Sequence, residues 1–182
     1  MRILVVYATK YGCTAECAEM LAEHLRDRGA EAVVAEAPAR GADPTSFDAI
    51  LVGGSVYMGR MRPAATRWLK RHQRALLARP LGLFACCYTP DGTERFLESL
   101  FPAYLLSHAR AAACVGGRLD YERMSPAYRK LFMSLKRIPD FDEKFTEPEI
   151  DEAAIAHLAD AMCRERERVG VKAGHGPVGA ST

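Results

Sequence analysis

The 182-residue sequence has no run of the length that a membrane-crossing helix needs and no internal repeat. Met1 and Arg2 lead straight into a strand pattern, which leaves no room for a secretory leader, so the cytoplasm is the expected compartment. Charge of one sign is scarce. Lysine and arginine number 25 against 23 aspartate and glutamate, a formal net charge of +2, too small by itself to argue for nucleic acid, and none is expected as a partner. None of the six cysteines stands in a C-x-x-C, and no paired Cys/His spacing suits zinc, so no metal is expected. Cys86, Cys87 and Cys114 lie in apolar runs and read as small buried hydrophobes. A Cys13–Cys17 pair would span one helical turn, a poor geometry for a disulfide. This usage fits a reducing compartment. No residue stands out as an obligatory acid or base, and none is assigned a catalytic role.

What is present is globular. Hydrophobic residues make up 49% of the chain, enough for one buried domain, taken as residues 1–168 and followed by a mobile tail over 169–182. Ile3 to Ala8 form an apolar strand. Ala18, Leu21, Ala22 and Leu25 then recur at helical spacing up to Gly29. A short second strand covers 32–35, and 38–48 reads as a loop with at most one helical turn. Ala49-Ile50-Leu51-Val52 is a continuous apolar run, as in a parallel strand covered on both faces. Pro63 opens a helix to about residue 77. A fourth strand covers 81–87, a helix disturbed by Pro102 covers 94–108, and a fifth strand covers 111–119. Thr146 and Glu149 form a capping box announcing the last helix. This alternation predicts an α/β fold: a doubly wound five-stranded parallel sheet of order 2-1-3-4-5.

In such a sheet ligands bind beyond the carboxyl ends of the strands, where strand order reverses. Three loops meet there. Thr9-Lys10-Tyr11-Gly12-Cys13-Thr14 joins the first strand to a helix N-terminus, a place that favours anions. Thr9 and Thr14 add hydroxyls, Gly12 permits close backbone approach, and Lys10 adds a positive charge. After the third strand, Gly53 to Gly59 offer Gly54, Ser55 and Gly59 for backbone contact, with Val56 in the same cofactor loop and Tyr57 and Met58 to lie along a flat ligand. After the fourth come Cys87, Tyr88 and Thr89. Together these loops imply a phosphorylated, planar, aromatic cofactor.

Residues 9–14 resemble the flavodoxin phosphate loop in its T-x-x-G-x-T form, and the five strand–helix units resemble the flavodoxin fold over nearly the whole chain. The resemblance implies FMN, its phosphate on residues 9–14 and its ring between residues 55–59 and 87–89. The chain is most similar to the flavodoxin-like, menaquinone-dependent protoporphyrinogen IX dehydrogenases. That likeness rests on Gly53 to Gly59, on Gly116-Gly117-Arg118-Leu119-Asp120-Tyr121, and on an insertion over about 120–145 before the last helix. It implies oxidation of a porphyrinogen substrate, with a quinone as electron acceptor. Arg60, Arg62 and Arg118 near the ring end are candidates for the substrate's propionates.

In the insertion, Ser125-Pro126 starts a helix on which Tyr128, Leu131, Phe132 and Leu135 make an apolar stripe among Arg129, Lys130, Lys136 and Arg137. Such a basic amphipathic helix, over about 125–138, either lies peripherally on the inner face of the cell membrane or packs on the domain. Two other functions stay open: a flavodoxin-type electron carrier without its own substrate, and an NAD(P)H:quinone reductase. Carriers of that kind are usually acidic, and the sequence pI near 8.2 weighs against one here.

Overall fold

Continuous apolar runs become the central strands, because only a strand covered on both faces can bury every side chain it carries. In the computed structural model, which describes residues 1–87 and 93–164, these are β1 (Arg2–Ala8), β3 (Ala49–Tyr57) and β5 (Leu81–Cys86). They are flanked by β2 (Glu31–Glu36) and β6 (Ala111–Cys114) in the order β2-β1-β3-β5-β6, with all four pairings parallel. The expected order 2-1-3-4-5 is therefore present. The shift in numbering comes from β4 (Arg60–Met61), a two-residue strand that folds back antiparallel on β3.

One core lies on each face of the sheet. On one side α1 (Cys13–Asp27) and α8 (Glu152–Cys163) pack Leu21, Leu25, Ile155 and Leu158 against Ile3, Val5 and Leu51. On the other, α2 (Pro63–Arg71), α3 (Gln73–Leu77), α4 (Thr93–Leu100) and α5 (Ala103–His108) cover Leu4, Val6, Ile50 and Leu83. The helix expected over 63–77 is broken at His72, whose φ of −105° and ψ of 16° leave the helical range. Pro102 likewise divides the helix expected over 94–108, because it has no N–H to give the preceding turn. The insertion forms α6 (Pro126–Leu135) and α7 (Pro139–Lys144).

Three expectations are corrected. Gly53 and Gly54 do not open a loop but continue β3, where a Cβ on Gly53 would overlap the Phe84 ring. The chain turns only at Met58 (φ 49°) and Gly59 (φ 71°), a two-residue hairpin with both residues left-handed. The fifth parallel strand ends at Cys114, not 119, because Gly116 leaves the ladder to bridge Ile150. That bridge holds residues 149–151 extended, so Thr146 and Glu149 do not cap α8. Its N-cap is Asp151, whose carboxylate accepts from the Ala154 N–H at 2.9 Å. The segment 169–182 lies outside the described residues.

Candidate functional site

The turn from β1 into α1 leaves a helix N-terminus without a side-chain cap, because its N-cap is Gly12. Gly12 takes a φ of 99°, which favours glycine, and its N–H donates to Thr9 Oγ1 at 3.0 Å. A Cβ there would lie 2.6 Å from Arg123 Nη1, so the loop is also closely approached by the insertion. Inside this turn Thr14 is fully buried, yet its Oγ1 has no hydrogen-bond partner, and the same holds for Ser55 Oγ at the end of β3. A native fold seldom leaves buried hydroxyls unpaired. Two of them beside an uncapped helix N-terminus fit the oxygens of a bound phosphate ester.

Next to this cradle a cleft of about 180 Å³ runs between the strand ends and the insertion. It collects Tyr11, Cys13 and Thr14 from the first loop, Ser55, Val56 and Tyr57 from the second, and Cys87 from the third. Thr9, Lys10 and Gly12 belong to the adjoining turn. Met58 and Gly59 do not reach the cleft lining, because they form the tip of the β3–β4 hairpin, where Met58 is 79% exposed. Among the three arginines, Arg118 lines the cleft and pairs with Glu16, whereas Arg60 is exposed on β4 and Arg62 precedes α2. Tyr88 and Thr89 lie outside the described residues.

The insertion supplies the wall that no single motif announced. Tyr128, Phe132, Phe145 and Pro148 face the cleft with Gly117 and Leu119. Tyr128 stands edge-on to Tyr57 at 5.6 Å and Tyr57 edge-on to Tyr11 at 5.4 Å. Lys10 Nζ lies 4.8, 4.7 and 5.3 Å from the Tyr11, Tyr57 and Tyr128 ring centres, distances at which a ring face attracts an ammonium. The helical stripe of α6 marks Tyr128 and Phe132 as inward. Phe145, beyond a second helix, carried no comparable sequence signal.

The electrostatics of the cleft are uneven. Burial, then the neighbouring Tyr11 and Tyr128, hold the Tyr57 hydroxyl above its ordinary range. Burial acts the same way on Tyr11, but hydrogen bonding to Ser125 and Lys10 outweighs it and lowers that phenol. Cys13 is held well below the usual thiol range by hydrogen bonding from the Cys17 and Cys86 thiols, with help from Arg118. Those two partners are correspondingly raised.

A larger hollow of about 600 Å³ lies elsewhere, lined by Arg40, Arg67, Arg71, Trp68 and His72 beside α2. It lacks the converging strand ends and glycine turn of the first. Its His72 ring lies 4.5 Å from the Trp68 ring, and burial, then Arg71, hold the imidazole below its ordinary value. The folded protein therefore resists a proton that the unfolded chain accepts. Stability is expected to be complete above about pH 6.5 and to fall as pH drops below it. Urea unfolding near neutrality and in mild acid should show this fall, and His72→Gln should flatten it.

The comparisons with known proteins bear on the fold. The flavodoxin domain family profile matches residues 4–145. No curated protein matches the chain. In fold it is similar to rubredoxin oxygen:oxidoreductase from Desulfovibrio gigas, with a TM-score of 0.54 and 15% identity over 89% of this chain. That match spans only 35% of the oxidoreductase, about a third of its length. It is also similar to the two-electron reduced flavodoxin of Megasphaera elsdenii, with a TM-score of 0.51 and 13% identity over 86% of this chain and 97% of that one. A point mutant of the flavodoxin from Pseudomonas aeruginosa gives a TM-score of 0.51 and 17% identity over 89% of this chain and 99% of that one. Flavodoxin-fold homologues bind FMN, whose phosphate suits the cradle described above. With the profile spanning most of its length, the chain belongs to the flavodoxin domain family.

Proposed function

We propose that the chain is an FMN-dependent dehydrogenase that oxidises protoporphyrinogen IX to protoporphyrin IX and delivers the electrons to a quinone such as menaquinone. The observation that carries this reading is the aromatic wall the insertion builds over the cleft. Tyr128, Phe132 and Phe145 face the strand-end loops, with the Arg118 cation at the same cleft. A plain electron carrier needs its cofactor edge open to a partner. A wall of rings with a cation beside it suits instead a bulky apolar substrate that bears carboxylates.

FMN, when bound, accepts two electrons with a proton and returns electrons singly or in pairs. This chain's part is to hold and orient. The Gly12 turn, the Thr14 hydroxyl and the first N–H groups of α1 would hold the phosphate. Val56 and Tyr57 would position the ring end, and Phe132 and Phe145 would keep water from it. Arg118 would meet a propionate, partly leaving its exposed pairing with Glu16, which costs little to break at a surface.

Anaerobic mixing of the FMN-loaded protein with protoporphyrinogen IX should bleach the flavin absorbance, and menaquinone analogues should restore it. Bleaching by NAD(P)H with quinone turnover, and none by the porphyrinogen, would make the protein a nicotinamide-fed quinone reductase.

The outer face of the insertion supports delivery to a lipid-dissolved quinone, with the protein held peripherally at the inner face of the membrane. Leu131, Met133 and Ile138 are 45%, 48% and 49% exposed beside exposed Arg129, Lys130 and Arg137. Among the described residues no helix is long and apolar enough to cross a membrane, so contact would be peripheral. Flotation with anionic vesicles should carry the protein upward, and the double substitution Arg129→Gln, Lys130→Gln should reduce that fraction severalfold. Equal flotation of both proteins would remove the insertion from any membrane role.

A further inference from the structure

Three thiols meet beneath the cleft, and the proposed reaction uses none of them. Cys13 opens α1, Cys17 follows one turn later on the same helix face, and Cys86 ends β5 directly under that face. Their sulfur atoms lie within 4.8 Å of one another, with Cys13 and Cys86 at 3.6 Å. We propose that Cys13, Cys17 and Cys86 form a trithiolate site for a soft d10 cation of the copper(I) class.

The distances suit such an ion. A metal–sulfur bond of about 2.3 Å places the sulfurs of a trigonal site about 4 Å apart, so closure needs shifts well under the length of a bond. The donor set sets the ion's class. Sulfur alone, without carboxylate or imidazole in the group, excludes magnesium, calcium and manganese and favours copper(I) or zinc. Among the described residues the group offers three thiols and no fourth Cys, His or carboxylate, which completes a trigonal copper(I) site, whereas zinc would need a water from the cleft to complete its tetrahedron.

The surroundings agree. Cys17 and Cys86 are buried in the core that holds Ala18, Leu21, Phe84 and Val115, where thiolates without a cation would be costly. Cys13 is half-buried and, with Cys86, lines the cleft, which gives an ion its way in. On binding, S–Cu bonds replace S–H bonds and the displaced protons leave to solvent. No electron is transferred. The positive end of α1, where Cys13 sits, offsets the remaining negative charge. The site does not depend on the FMN reading, since the three sulfurs come together through the α1–β5 packing itself.

The test uses the full-length protein, reduced anaerobically with a phosphine and titrated with copper(I) held by a coloured chelator. The protein is expected to withdraw one copper(I) per chain. Cys17→Ser and Cys86→Ser should each weaken that binding by more than about tenfold, a loss that even outer-shell partners of a metal can cause. Half-buried Cys13→Ser should do the same, and it keeps the test decisive if the buried variants fold poorly. Cys163→Ala, on the far end of α8, should bind like the unaltered protein. Failure to withdraw copper would overturn the site, as would variants that bind undiminished. A thiol count two short in the metal-free protein before reduction, restored by the phosphine and absent from both Cys13→Ser and Cys86→Ser, would identify a Cys13–Cys86 disulfide and overturn it as well.

Discussion

Replacing Thr14 by valine is expected to leave the FMN-free protein as stable as before, or more so, while weakening FMN binding by about tenfold to a hundredfold. The two effects have one cause. Thr14 is fully buried and its Oγ1 lacks a hydrogen-bond partner. The Cys86 thiol feels this hydroxyl, but no contact reaches hydrogen-bonding geometry. An unpaired buried hydroxyl costs about 1–3 kcal/mol, which an isosteric methyl group recovers. With a phosphate in the cradle the same hydroxyl gains a charged acceptor worth about 1.5–3 kcal/mol, which sets the expected loss of affinity. Urea unfolding of the flavin-free protein and flavin-fluorescence titration read the two effects separately. A variant that is less stable without FMN and binds it equally well would make Thr14 a packing residue only.

The largest expected loss of stability is at Gly116. Its φ is 67°, and a Cβ built on it would overlap the Glu149 carbonyl oxygen. Around it the Gly117 N–H donates to Glu149 O and the Asp151 N–H to Val115 O, each at 3.0 Å, so the exit of β6 is stitched to the start of α8. Backbone cannot yield as a side-chain tip can. Gly116→Ala therefore combines left-handed strain of about 1–2 kcal/mol with an overlap of about 1–3 kcal/mol. For a domain of this size the sum lowers the melting temperature by about 4–20 °C. Gly41→Ala is the control: its φ is 85°, but nothing lies within 4 Å of the added carbon. It should lose only the strain. Equal losses at the two positions would show that the β6–α8 junction is loosely packed.

The order of the parallel sheet was legible because residues 3–6, 49–52 and 81–86 are continuous apolar runs at the centres of β1, β3 and β5, as expected of strands covered on both faces. The β3–β4 hairpin was not. The sequence marks Gly53 and Gly54 as a break, but those glycines make room for Phe84 on one side and Ala65 on the other. The true turn instead begins with Met58, a residue whose side chain gives no hint of a left-handed conformation. Thr146 and Glu149 had the chemistry of a capping box and lost it to a tertiary event, the Gly116–Ile150 bridge.

At the site, the phosphate turn was readable because its chemistry is local: a glycine, two threonines and a helix start within six residues. The rest of the cleft is assembled across the chain. Cys13 and Cys86 lie 73 positions apart, so their approach could not be inferred from either neighbourhood. The placement of Phe145 depends on how α6 and α7 fold back, and Phe132 meets it edge-on at 5.3 Å. Apolar spacing showed that α6 has an inward face but not what that face would cover.

Whether the uncapped start of α1 holds the phosphate of FMN is read by titrating the flavin-free full-length protein with FMN and, separately, with riboflavin, which has the same ring and no phosphate. Saturable quenching of flavin fluorescence at one FMN per chain is expected, with much weaker binding of riboflavin. Equal binding of the two flavins, or binding of neither, would remove the phosphate from the α1 N-terminus.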